Sequence, residues 1–133
     1  MAKSHMIVAV SQAGFDKIID VLRRMHEAVS VHAEYINSTP RTAVFIGEKM
    51  FFRTGSWASA VTIVKEVSGK VVIKVIATGG GEGLLNLGWG ANKSYARSII
   101  EFIARSLPVK IVKEINDYNI SKWREAFIPE EQG

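Results

Sequence analysis

Apolar and polar positions along this chain follow two different periods, and the points where the period changes mark its elements. Met6-Ile-Val-Ala-Val10 is a short unbroken apolar run of strand length. After Ser11, which offers an N-cap, Phe15, Ile18, Ile19, Leu22, Met25, His26 and Val29 recur at steps of three and four residues. Asp16, Lys17, Asp20, Arg23, Arg24 and Glu27 fill the other side, so the stretch predicts an amphipathic helix of roughly four turns.

From Val29 the period drops to two. Val29–Ile36 alternates and ends in the turn cluster Asn37-Ser-Thr-Pro40; Thr42–Ile46 reads as the next strand. Gly47-Glu-Lys49 then predicts a hairpin turn before Met50–Arg53, and Thr54-Gly55-Ser56 breaks again. Trp57–Val67 puts Ala58, Ala60, Thr62, Val64 and Glu66 on one face, and Lys70–Ala77 returns across the two-residue connector Ser68-Gly69. Connections this short make antiparallel neighbours, because parallel pairing needs a crossover of about a dozen residues.

A second amphipathic helix is predicted from Tyr95 to Leu107, capped by Asn92 or Ser94 and ended by Pro108. Ala96, Ile99, Ile100, Ile103 and Leu107 form its apolar side; Arg97, Glu101 and Arg105 form its polar one. Residues 109–115 fit strand and helix periods equally. Ile120–Phe127 reads as a short helix with Trp123 and Phe127 on one side, and residues 129–133 are expected to fray. The fold class is therefore α+β: a four- to five-stranded antiparallel meander, two main amphipathic helices packed on one face and a short C-terminal helix.

Composition narrows this further. With 133 residues, 47% hydrophobic and 23% charged, one domain spanning residues 6–128 can bury a core without staples. The absence of cysteine removes thiol nucleophiles, thiolate metal sites and disulfides; it fits a cytoplasmic protein and is also a habit of heat-adapted ones. No apolar run approaches the ~20 residues of a membrane-spanning helix, so no membrane partner is expected. Ser4-His5-Met6 resembles the junction left by an expression tag, which would make residues 1–5 a remnant.

Charge is less informative than its total suggests. Seventeen Lys+Arg against 13 Asp+Glu give +4, but the cations are spread over faces of mixed sign. The only loosely basic stretch, Lys93, Arg97 and Arg105, is interrupted by Glu101. A basic nucleic-acid-binding protein is thus one alternative reading, and not the leading one.

Glycine is where the chain departs from an ordinary pattern. Six of its 11 glycines, Gly79, Gly80, Gly81, Gly83, Gly88 and Gly90, fall between residues 79 and 90, interleaved with Leu84, Leu85, Leu87 and Trp89. Such a segment can turn amide N–H groups toward an anion, with Asn92, Lys93 and Ser94 as contacts at a helix start. The phosphate-loop motifs fail, however: Lys93-Ser94 comes too late after Gly83–Gly88, and Gly79-Gly80-Gly81 runs through Glu82 and Gly83 into Leu84-Leu85. Four large apolar side chains there call for something to bury them, which favours a contact surface.

Catalytic and metal chemistry find little purchase. His26 and His32 are six apart without a ligand-spaced carboxylate beyond Glu34, and no Gly-x-Ser-x-Gly elbow occurs, so no cofactor, metal or catalytic residue is expected. Gly88-Trp89 ahead of Tyr95–Ile100, with the order strand, helix, antiparallel strands, helix, resembles the START-like helix-grip domains. That resemblance implies a small apolar or anionic ligand held between sheet and helix. The leading expectation is instead a non-enzymatic α+β domain, a homo-oligomer joined through the Gly/Leu/Trp-rich loop and the second helix.

Overall fold

The computed structural model describes residues 4–25, 29–51, 56–79 and 88–132. Its strands are β1 (Ser4–Ser11), β2 (Val29–Ile36), β3 (Thr42–Phe51), β4 (Ser56–Val67), β5 (Lys70–Gly79) and β6 (Lys110–Tyr118). The helices are α1 (Phe15–Arg23) and α2 (Gly88–Ala104), followed after β6 by a 3-10 segment Ile120–Ala126 and a 3-10 turn Pro129–Glu131. All six strands join one antiparallel sheet in the order β2-β3-β4-β5-β1-β6. The fold is α+β, with one or two strands more than the sequence predicted.

The differences have local causes. Residues 109–115, which fit either period, belong to β6 because Val8, Ile7 and Met6 of β1 offer Lys113, Glu114 and Ile115 a ladder. Gly47-Glu-Lys49 is no turn: it pairs with Ala60, Ser59 and Ala58, so β3 is one strand of 10 residues. Pairing with a long β4 overrides the local turn preference of glycine there. Ser68-Gly69 is a turn, with φ of 49° and 79°, the two positive values that a tight two-residue hairpin requires.

Helix α1 is shorter than its periodicity suggested, ending at Arg23, and Gly14 rather than Ser11 occupies the N-cap position. Ser11 Oγ accepts from Ala13 N–H (3.1 Å) and donates to the Pro108 carbonyl (2.5 Å), tying the end of β1 to the α2–β6 connection. His26 lies outside the described residues. Helix α2 begins at Gly88, so Asn92 and Ser94 sit inside it and neither is its cap.

Both helices pack on one face of the sheet. Ile7 and Ala9 of β1, Ala43 and Phe45 of β3, Ala58, Ala60 and Val64 of β4, and alternate residues Val71–Ala77 of β5 meet Phe15, Ile18, Leu22, Tyr95, Ile99 and Ile103. The alternation read from Ala58 to Val64 is thus the core face of β4. On the opposite face a smaller cluster of Met6, Val8 and Val72 is covered by Ala126 and Ile128.

That second cover holds through charge. Lys74, on the outer face of β5 and 3% exposed, reaches Glu131 Oε2 at 2.7 Å and stands 3.6 Å from the centre of the Phe127 ring. Lys65 pairs with the same oxygen, and Lys70 pairs with Glu130. Residues 129–131, expected to fray, are therefore an ordered turn whose Glu131 side chain is almost fully enclosed. Ser4 and His5, expected to belong to a tag remnant, are paired residues of β1.

Candidate functional site

The two covering layers do not reach the whole sheet. Helices α1 and α2 overlie β3, β4, β5 and β1, while the C-terminal 3-10 segments overlie β1 and β5 from the other side. Among the described residues, what neither layer covers is β2 from Val31 to Ile36 and the outer face of β3 with the part of β4 from Trp57 to Ile63. Every residue from Val31 to Ile36 is exposed, including Val31 (58%), Tyr35 (50%) and Ile36 (49%).

The uncovered outer face of β3 and β4 is built from cross-strand apolar pairs. Val44 lies opposite Ile63, Ile46 opposite Val61 and Met50 opposite Trp57, with Trp57 more than half exposed. These side chains point outward because their neighbours Ala43, Phe45, Ala58 and Ala60 are committed to the helix face, and strand side chains alternate. The polar pair Glu48–Ser59 lies between the last two of these pairs, so the face carries exposed apolar side chains on either side of a polar step.

Beside it, β2 forms an outer strand with a free edge. His32 and Glu34, two residues apart on one face, meet at 2.9 Å between Nε2 and Oε1. Around the bulge of the same strand, Arg23, Val31, His32, Ala33 and Phe45 line an open notch of about 270 Å³, and Tyr35 meets Phe45 edge-on with ring centres 6.4 Å apart. Among the described residues no group of three potential metal ligands assembles, here or elsewhere.

Of the residues singled out by the glycine pattern, the described ones lie at the end of β5 and in the first turns of α2. Gly79 ends β5 opposite Ala58 with φ of +89°, and a Cβ there would stand 3.2 Å from the Trp57 carbonyl. Its glycine is explained by close approach of the backbone to β4. Gly80, Gly81, Gly83, Leu84, Leu85 and Leu87 lie outside the described residues. Gly88, Trp89 and Gly90 begin α2. Asn92 is fully buried, Lys93 is half-buried and Ser94 is exposed, so these three do not share one accessible face as an anion cradle would require.

Between the helices and the sheet, Leu22, Met25, Phe45, Tyr95 and Ile99 line a cleft of about 20 Å³. Drug-sized ligands occupy ~300 Å³ or more. Burial, then the charge of Glu48, pushes the Tyr95 hydroxyl up to about 12, so the ring stays neutral. The described residues thus offer room for about one water where the helix-grip resemblance implied a ligand. The chain also continues past α2 into β6, which pairs with β1.

Elsewhere the cations are engaged. Arg41 holds Glu66 through two hydrogen bonds of 3.1 Å, reaches Asp16 at 3.4 Å and lies 4.7 Å from the Phe15 ring centre. Arg97 grips Glu114 at 2.6 and 2.8 Å, with His5 Nε2 2.6 Å from the same carboxylate. The Arg97 hydrogen bonds, with help from His5, hold the Glu114 carboxyl down at about 2. Of the loosely basic stretch, Arg97 is thus bound to an acid and Arg105 lies 5.6 Å from the Phe102 ring centre.

Sequence reasoning found the β2 alternation and the proximity of His32 and Glu34, but not that the strand would stand at an edge with neither face covered. No protein-family model and no curated protein matches this chain. No helix among the described residues is long and apolar enough to cross a membrane.

Proposed function

We propose that this protein is a non-enzymatic binding module that works by self-association, and that its contact surface is the uncovered part of the sheet. The observation that supports this is the exposure of β2 on both faces, next to the outward apolar pairs of β3 and β4. An edge strand presents a row of unpaired N–H and C=O groups, and monomeric proteins blunt such edges with charged residues, Pro, bulges or cover; of these β2 has Glu34 and the bulge at Val31. From Val29 to Ile36 there is neither lysine, arginine nor proline, and the apolar Val31, Tyr35 and Ile36 remain in water.

This places the contact elsewhere than the expected Gly/Leu/Trp-rich loop and α2, and residues 80–87 of that loop lie outside the described residues. The apolar side of α2 is spent on the core, with Ala96, Ile99, Ile100 and Ile103 all buried. Light scattering across a hundredfold range of concentration tests the reading. A mass at or above twice the chain's 14.7 kDa is expected. A single-chain mass at every concentration would overturn it.

A further inference from the structure

We infer that the occupant of the β2 edge is the β2 strand of a second copy, paired antiparallel about a twofold axis through Ala33, so that two six-stranded sheets join into one. The inference rests on the self-association reading and specifies its geometry. A twofold perpendicular to the sheet sets one residue opposite itself and places residues equally far on either side opposite each other. With Ala33 on the axis, His32 faces Glu34 of the second copy and Glu34 faces its His32.

The two groups already meet within one strand at 2.9 Å. Pairing would therefore close a ring of four groups, imidazole and carboxylate alternating, on the outer face. Axes through His32 or Glu34 would instead set like groups opposite one another, which is unfavourable across strands. Charge thus selects one register among the neighbouring ones.

The helix side points to the same register. With Ala33 on the axis, Tyr35 of the second copy lies opposite Val31. Val31 lines the open notch of about 270 Å³ with Arg23, His32, Ala33 and Phe45, so the ring of the second copy's Tyr35 would lie over it. The register against β3 is broken between Ser30 and His32, so the bulge falls at Val31 and the central pairs of this register, Ala33 with itself and His32 with Glu34, lie clear of it. The pairing would give exposed main-chain groups of β2 hydrogen-bonding partners, the usual basis of edge-to-edge association.

Because the chain has no cysteine, single introduced thiols report the register directly. Ala33→Cys is expected to cross-link to itself under mild oxidation, since residues directly opposite in a sheet sit within disulfide reach. Val31→Cys and Tyr35→Cys should each stay largely uncross-linked alone and should cross-link when mixed. If light scattering shows a dimer but Ala33→Cys does not cross-link, this geometry is wrong while self-association stands. If the unmodified chain is a monomer throughout, the wider reading fails and takes this one with it.

Discussion

Lys74 stands at 3% exposure on the outer face of β5, a place where an ammonium is tolerated only with a close partner. Burial pushes its pKa down, against the pull of Glu131. For Glu131, burial works to raise the pKa, but hydrogen bonds from Lys65, Lys74 and the Ile128 N–H outweigh it and the net is a lowered value. Glu131→Ala would leave Lys74 enclosed with Phe127 and the more exposed Lys65, and is expected to cost about 3 kcal/mol in urea unfolding. Lys74→Met keeps the volume and leaves Glu131 its Lys65 partner, so a smaller loss is expected. At Gly79, where φ is +89° and the Trp57 carbonyl is close, Gly79→Ala should lower stability by about 1–2 kcal/mol by the same measurement. Glu114 links the fold to pH. Its carboxyl is depressed to about 2 in the folded chain against an ordinary 4.5, so its stabilisation is present above the ordinary range and lost as pH falls from there toward about 2. Thermal melts through that window should show a steeper acid decline for the native chain than for Arg97→Gln.

At the level of elements, β2 is where the account is most exposed to test. His32→Glu and Glu34→Lys should each weaken association, by roughly tenfold, because each removes the imidazole–carboxylate pairing across the proposed axis. Mixing the two variants should restore it, since Glu at 32 then faces Lys at 34; sedimentation velocity of the singles and the mixture reads this. Much of the element pattern was legible in the sequence. The core faces of α1, α2 and β4 follow from apolar spacing, and Ser68-Gly69 announced its turn through residues that accept positive φ. What was illegible depended on distant partners. Gly47 looks like a turn until β4 pairs with it, Ser11 looks like a cap until Pro108 takes its hydroxyl, and residues 109–115 are ambiguous until β1 provides a ladder.

On the scale of the whole molecule, the feature that matters is a mismatch of areas. Six strands are laid side by side, but among the described residues two helices and a C-terminal segment cover only part of what that sheet exposes. No local pattern in Val29–Ile36 could say that its apolar side would stay in water, because that depends on how far α1 reaches across the sheet. Glycine density drew attention to residues 79–90, where Gly79 has a packing explanation and Asn92 is buried. The uncovered sheet instead makes association the central claim. Amide hydrogen exchange across a dilution series tests it most directly. The account predicts that the alternate amides of residues 31–36 that face away from β3 are protected at high protein concentration and lose that protection on dilution, while those of β5 stay unchanged. Rapid exchange of these alternate amides at every concentration would contradict it.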